Sequence, residues 1–160
     1  MQNWKFLFHL QNPLIVLGGN KMDKDLISTM IDEAMNMLQY SYTPYSNFKV
    51  AAALHSKDGR IFGGCNIENA AYSPGNCAER TAFFKAVSEG VTEFDGIVIL
   101  GGKDGSITDY CPPCGVCRQV MMEFCDPKTF QIILPKSKED YKVYTLEEMI
   151  PLGFGPNNLK

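Results

Sequence analysis

Two stretches of this chain carry residue types that do chemistry together. Asn76-Cys77-Ala78-Glu79-Arg80 sets a thiol, a carboxylate and a guanidinium within about one helical turn, and Cys111-Pro112-Pro113-Cys114-Gly115-Val116-Cys117-Arg118-Gln119 adds two thiols three residues apart. Cys114 and Cys117, at i and i+3 of a helix beginning near Pro113, present both sulfurs on one face of its first turn. Cys77 and Glu79 are two apart, roughly 200° around a regular helix, so they share a target only if Cys77 is the non-helical cap residue. Gly75 and Asn76 just before it suit such a start. Two helix N-termini would then direct partial positive charge at the thiols and favour the deprotonated, metal-binding form. The pattern predicts a catalytic zinc site with Cys77, Cys114 and Cys117 as ligands.

Positioning such a trio needs a folded core, and the composition supplies one. At 160 residues, 45% of them apolar, the chain is one domain's worth. A formal charge of −3 and an isoelectric point near 5.4 argue against a nucleic-acid partner and for a small substrate. Six cysteines, three of them clustered at 111–117, fit metal binding in a reducing, cytoplasmic compartment better than a disulfide scaffold. No apolar run is long enough to span a bilayer.

Residues 1–21 carry two short apolar runs around Asn12-Pro13 and end at Gly18-Gly19-Asn20. They fit a secretory signal poorly, because Pro13 interrupts the apolar run, Lys5 is the lone positive charge near the start and the Gly18-Gly19-Asn20 ending does not suit a cleavage site. They are read as an N-terminal extension of unknown role ahead of a catalytic domain at 22–160; a targeting segment, a packed extension and an over-called start with Met22 as the natural first residue stay open as alternatives. From Asp23 a helical period follows: Leu26, Met30, Ala34 and Leu38 in one line, Ile27, Ile31 and Met35 in the next. Phe48 to Leu54 reads as a strand, Lys57-Asp58-Gly59-Arg60 as a hairpin turn, Ile61 to Ile67 as its partner and Glu68 to Asn76 as a loop. A helix over 78–89, with apolar Ala78, Ala82, Phe83, Phe84, Ala86 and Val87, stops at Gly90. A buried strand at Gly96 to Leu100, the Cys114 helix with Val116, Val120, Met121 and Phe124 on its inner face, and a strand at 130–134 complete an α/β alternation. Lys142 to Tyr144 adds an edge strand and Leu146 to Ile150 a short helix.

These motifs resemble the cytidine deaminase family, in its small, homotetrameric, three-cysteine branch. The matching stretches are Tyr42-Thr43-Pro44-Tyr45-Ser46-Asn47-Phe48, Gly64 to Tyr72, Cys77 to Arg80, Pro113 to Gln119 and Pro151-Leu152-Gly153-Phe154, so the resemblance runs from about Met22 to the C-terminus. It implies a three-layer α/β/α fold around a mixed sheet of about five strands, and hydrolysis of cytidine and 2′-deoxycytidine to the uridines in pyrimidine salvage. It further implies one Zn²⁺ per subunit on Cys77, Cys114 and Cys117, and Glu79 as proton shuttle. Phe48 is expected as an aromatic wall for the base, Asn66 and Glu68 as ribose-hydroxyl binders, and Ala78 as a source of backbone groups for the base. Tyr72 is expected to frame the pocket across an interface and Phe154 to reach a neighbouring subunit's pocket, so the tetramer would share its active sites. Arg80, three residues after Cys77 and on its helix face, is placed to donate to the ligand sulfurs and drain charge from a centre bearing three thiolates.

Other readings of the same residues remain open. A closed structural zinc site would take Cys111 as fourth ligand, and either C-x-x-C pair could be redox-active, although neither reading explains Glu79 beside Cys77. A deaminase of a cytosine-nucleoside antibiotic shares the zinc motifs, but Asn66-Ile67-Glu68-Asn69 favours plain nucleosides. Cys65, Cys111 and Cys125 are read as spare thiols, Cys125 in the core, and His9 and His55 as structural. Arg118 and Gln119 are given no chemistry.

Overall fold

A computed structural model describes residues 22–160; the expectations for residues 1–21 and His9 lie outside the described residues. The first helix, α1 (Lys24–Met37), is capped by the Asp23 carboxylate, which accepts from Leu26 N at 2.7 Å. A hairpin follows, β1 (Phe48–Ser56) and β2 (Ile61–Cys65), turning through Gly59 at φ +90°, then α2 (Ala78–Ser88). Next come β3 (Phe94–Lys103), α3 (Gly115–Phe124), β4 (Gln131–Pro135), β5 (Tyr141–Thr145) and a short α4 (Leu146–Met149).

The five strands form one sheet in the order β2-β1-β3-β4-β5. Only β3 and β4 pair in parallel; the other three neighbours are antiparallel. Side chains alternate along each strand, so successive residues of β1 serve opposite faces. Ala51, Ala53, Val98, Leu100 and Ile133 join Ile27, Met30, Ile31 and Ala34 of α1 on one face. Ala52, Leu54, Ile97, Ile99 and Ile132 join Ala82, Phe83 and Met121 of α2 and α3 on the other. Three layers result, as the resemblance implies.

Two features of this frame position the site. First, β2 and β3 are each antiparallel to β1 and therefore run the same way, so their C-terminal ends open on the same edge of the sheet, the place where open α/β sheets bind ligands. The loop after β2 leads into α2 and the loop after β3 into α3, bringing both helix starts to that edge. Second, α2 lies close on β2. A Cβ at Gly64 would meet the Ala78 carbonyl oxygen and come within 2.6 Å of Ala82 N, so a bare backbone there lets the first turn of α2 seat against the sheet.

Several element bounds and faces differ from the expectation. Both β1 and β3 run longer than expected, through Ser56 and over Phe94–Lys103, because they pair with each other almost end to end. The hairpin partner ends at Cys65, and Ile67 instead makes isolated bridges to Tyr42 and Asn76. On α3, Val116 is 59% exposed while Cys117 is buried, since the turn that takes the Cys117 sulfur inward carries its neighbour outward. Met35 and Phe84, each 48% exposed, fall at the edges of their helices' buried stripes.

Candidate active site

The two helix starts are built alike. Cys77 is the cap residue of α2 at φ −78°, ψ 156°, and Cys114 the cap of α3 at φ −68°, ψ 167°; neither side chain bonds its own helix's N–H groups. Their carbonyls accept the first helical hydrogen bonds, from Thr81 N and Arg118 N, both at 3.0 Å. Each sulfur is thus freed from capping and points away from the turn. The loop before Cys77 is closed by reciprocal bonds between Ile67 and Asn76, at 2.9 and 2.8 Å, and Arg118 ties the second start down through Pro113 O and Met149 O.

Three sulfurs meet at this junction. Cys77, Cys114 and Cys117 have their Sγ atoms within 4.8 Å of one another, with Cys77–Cys114 at 3.9 Å and Cys114–Cys117 at 3.5 Å. A tetrahedral zinc with Zn–S bonds of about 2.3 Å separates its sulfurs by about 3.8 Å, close to the 3.9 and 3.5 Å of these two pairs. Among the described residues no fourth Cys, His, Asp or Glu joins the cluster. This tells against the closed structural site, and Cys111 stays outside it. The Cys117 thiol, with Arg80 and Cys114, pulls the Cys77 thiol down to about 5, whereas the Cys77 sulfur beside it pushes the Cys117 thiol up. A divalent cation bound by the trio would favour the thiolate form of its ligands.

Arg80 supplies part of the compensation. Its Nη2 lies 3.8 Å from Cys77 Sγ and 3.3 Å from Gly75 O, and its buried Nε has no hydrogen-bond partner among the described residues. Glu79 is 4% exposed; burial, and then the charge of Cys77, raises its carboxyl above the ordinary range.

Beside the trio opens a cavity of about 680 Å³, within the size range of small-molecule sites. Cys77, Cys114 and Glu79 form its inner end; Phe48, Asn66, Glu68 and Tyr72 line the outer part. Asn66 is tied into β1 on both sides, its Oδ1 accepting from Val50 N at 2.9 Å and its Nδ2 donating to Phe48 O at 2.8 Å. Glu68 Oε2 accepts from Tyr45 N at 2.9 Å, and the Ser46 hydroxyl, first among the causes, holds its carboxyl below the usual range. Tyr72 is 81% exposed, with its ring 6.4 Å from that of Tyr45. Tyr72, which lines the cavity, holds left-handed backbone at φ 56°, as does Asn47, at φ 55°, between the lining residues Ser46 and Phe48.

Two expected residues lie apart from the lining. Ala78 is fully buried in the first turn of α2. Phe154 is 58% exposed on the C-terminal tail, outside its own chain's cavity, with its carbonyl accepting from Gln119 Nε2 at 2.9 Å. Tyr45 and Ser46, given no role from sequence, also line the cavity, as does Cys111, read there as a spare thiol. Burial, then Glu79 and Cys77, pushes the Cys111 thiol up to about 11, so it stays protonated beside the trio. The Tyr45–Ser46 turn stands inside a quoted motif, which was the available signal; Cys111 offered only its nearness to Cys114. His55 pairs with Asp95 at 2.6 Å and lines no part of the cavity.

Comparison with known proteins agrees with this geometry. The family described as cytidine and deoxycytidylate deaminase zinc-binding region matches residues 24–133. A cytidine deaminase of Sporosarcina psychrophila is 43% identical over 133 residues, covering 83% of this chain and 94% of the relative. One of Halalkalibacterium halodurans is 42% identical, covering 83% and 95%. Among solved structures, a cytidine deaminase from Burkholderia pseudomallei superposes with a TM-score of 0.71 at 41% identity, over 79% of this chain and 97% of that one. The sulfur trio, the sheet edge that holds it and these relatives agree: the chain belongs to the cytidine and deoxycytidylate deaminase family of zinc enzymes.

Proposed function

We propose that the cavity takes up cytidine or 2′-deoxycytidine and hydrolyses the exocyclic amino group, releasing ammonia and the uridine. The observation that carries this is the juxtaposition of the sulfur trio with Glu79 at the inner end of one nucleoside-sized cavity. Cys77, Cys114 and Cys117 hold the zinc, one per subunit. When bound, zinc supplies a Lewis acid that brings the pKa of a water towards 7 at neutral pH. Glu79 accepts the proton that water gives up, delivers it to the ring nitrogen beside the reacting carbon, and later protonates the departing amine. Its buried position, which raises its carboxyl above the ordinary range, suits a group that must both take and give a proton. Arg80, donating towards Cys77, limits the charge that the sulfurs push onto the centre.

Phe48 walls the base, Asn66 and Glu68 meet the sugar hydroxyls, and backbone groups at Ala78 bind the base edge. Asn66 keeps one N–H and one lone pair beyond its two bonds to β1. The family includes enzymes of nucleosides and of deoxycytidylate, and charge favours the nucleoside: among the described residues no Lys, Arg or His lines the cavity, while Glu68 and Glu79 do. A phosphate would meet two carboxylates and no cation. Tyr72 and Phe154 complete neighbouring pockets in a homotetramer. This is supported by the exposure of Tyr72, Phe154 and Leu152, the last standing free at φ 56°.

Residues 22–160 make up the catalytic unit, with 1–21 as an extension outside it. Met22 is buried and its sulfur packs on Gly96, which supports counting that residue as part of the unit. A cytoplasmic place in pyrimidine salvage suits six free thiols. No helix among the described residues is long and apolar enough to cross a membrane.

The test is zinc content per chain measured beside ammonia release and the loss of cytidine's absorbance. Ammonia should appear with cytidine, stop after chelation and return on adding zinc. A zinc-loaded chain that releases none would overturn the reading.

A further inference from the structure

Ser46 lies at the sugar end of the cavity and joins two of its walls. Its hydroxyl donates to Glu68 Oε1 at 2.5 Å, in the range of a charge-assisted bond, and accepts from Phe48 N–H at 3.0 Å. The N–H groups of Tyr45 and Ser46 reach the other carboxylate oxygen at 2.9 and 3.3 Å. A carboxylate has about four acceptor positions, so three are engaged and at least one on Oε1 is free. The one hydroxyl hydrogen of Ser46 is committed to Glu68. What the pair still offers a ligand is lone pairs alone, which suits a donating sugar hydroxyl.

Glu68 is a half-buried loop residue and, unheld, would spread over several rotamers. The bonds from the 45–46 turn hold one of them, and the same turn fixes the backbone of Phe48. We propose that Ser46 is a positioning residue for nucleoside deamination, locking the Glu68 carboxylate so that it presents an acceptor-only face to the sugar hydroxyls. This rests on the cavity being the nucleoside site proposed above.

The experiment compares steady-state kinetics of the zinc-loaded full chain with Ser46→Ala, Ser46→Thr, Glu68→Gln and Ser46→Ala/Glu68→Gln. Ser46→Ala should raise KM for cytidine about 10- to 100-fold, the range for a hydrogen bond to a charged group, with kcat within about threefold. Ser46→Thr, which keeps the hydroxyl, should restore KM to within about threefold. With 2′,3′-dideoxycytidine, which lacks both ring hydroxyls, the Ser46→Ala penalty should fall below about threefold. In the Glu68→Gln background the second substitution should add little. An equal penalty on the dideoxy substrate, additive effects in the double variant, or a loss confined to kcat would overturn the proposal. Absence of ammonia from the unmodified chain would overturn the nucleoside reading and this proposal with it, whereas turnover by that chain with KM unmoved in Ser46→Ala would overturn this proposal alone.

Discussion

The two ends of the cavity are made differently. The inner end is assembled from two helix starts seated on the sheet, with Cys117 and Glu79 buried and the three sulfurs already at metal-ligand spacing. The outer end is assembled from loops, and its polar groups are held by bonds that cross long stretches of sequence: Asn66 to β1 over 16 and 18 residues, Glu68 to the 45–46 turn over 22 and 23. At the inner end, rigid elements bring the reacting groups into range and burial raises the carboxyl pKa. At the outer end, hydrogen bonds set the orientation of side chains that stay accessible to a ligand. The proposed roles follow the same division, with chemistry where the fold is stiff and recognition where a small change in a loop moves it.

Substitutions at the two ends should accordingly separate kcat and metal retention from KM. The largest effect is expected for Glu79→Gln, which keeps the shape and loses the proton carrier. Its kcat should fall by at least about 10² to 10⁴, with zinc per chain unchanged by metal analysis. Unaltered turnover would remove Glu79 from the mechanism. Arg80→Ala comes next, with zinc affinity or activity lower by about 10- to 100-fold, read by competition with a chelator beside the kinetic assay. Equal zinc affinity and equal rate would show that the guanidinium does nothing for the sulfurs.

At the outer end, Asn66→Ala leaves Val50 N–H and Phe48 O without their side-chain partners. A cost of about 1 to 3 kcal/mol in denaturant unfolding is expected, together with a raised KM, while zinc content holds. A fall in kcat at constant KM would break the division between the two ends. The smallest effect is expected far from both. His55→Gln removes a partly exposed pair with Asp95 and should cost about 1 kcal/mol or less, leaving kcat and KM as they were.

The inner end was also the more legible in sequence, because its geometry is local. The spacing of Cys77 and Glu79 required Cys77 to be a cap, and Cys114 three residues before Cys117 required a helix start; both caps are found. The strand and helix order followed from periodicity, since each buried stripe repeats within one element. The faces of α3 did not. Val116 and Cys117 are adjacent, periodicity alone cannot say which turns inward, and the sulfur cluster decides it. Ser46 and the hydrogen bonds of Asn66 and Glu68 were illegible as contacts for a similar reason, since nothing in a single sequence says which turn a carboxylate 22 residues away will meet. Phe154 shows the same limit, because what holds its carbonyl is Gln119, on a helix 35 residues earlier.

The central claim is that three sulfurs, and no fourth, hold the metal beside Glu79. X-ray absorption at the zinc edge on the zinc-loaded chain counts those sulfurs directly. Three sulfur scatterers near 2.3 Å with one lighter neighbour is the expected result, since Cys111 stands outside the cluster. Four sulfurs would mean a closed structural site and would contradict the account.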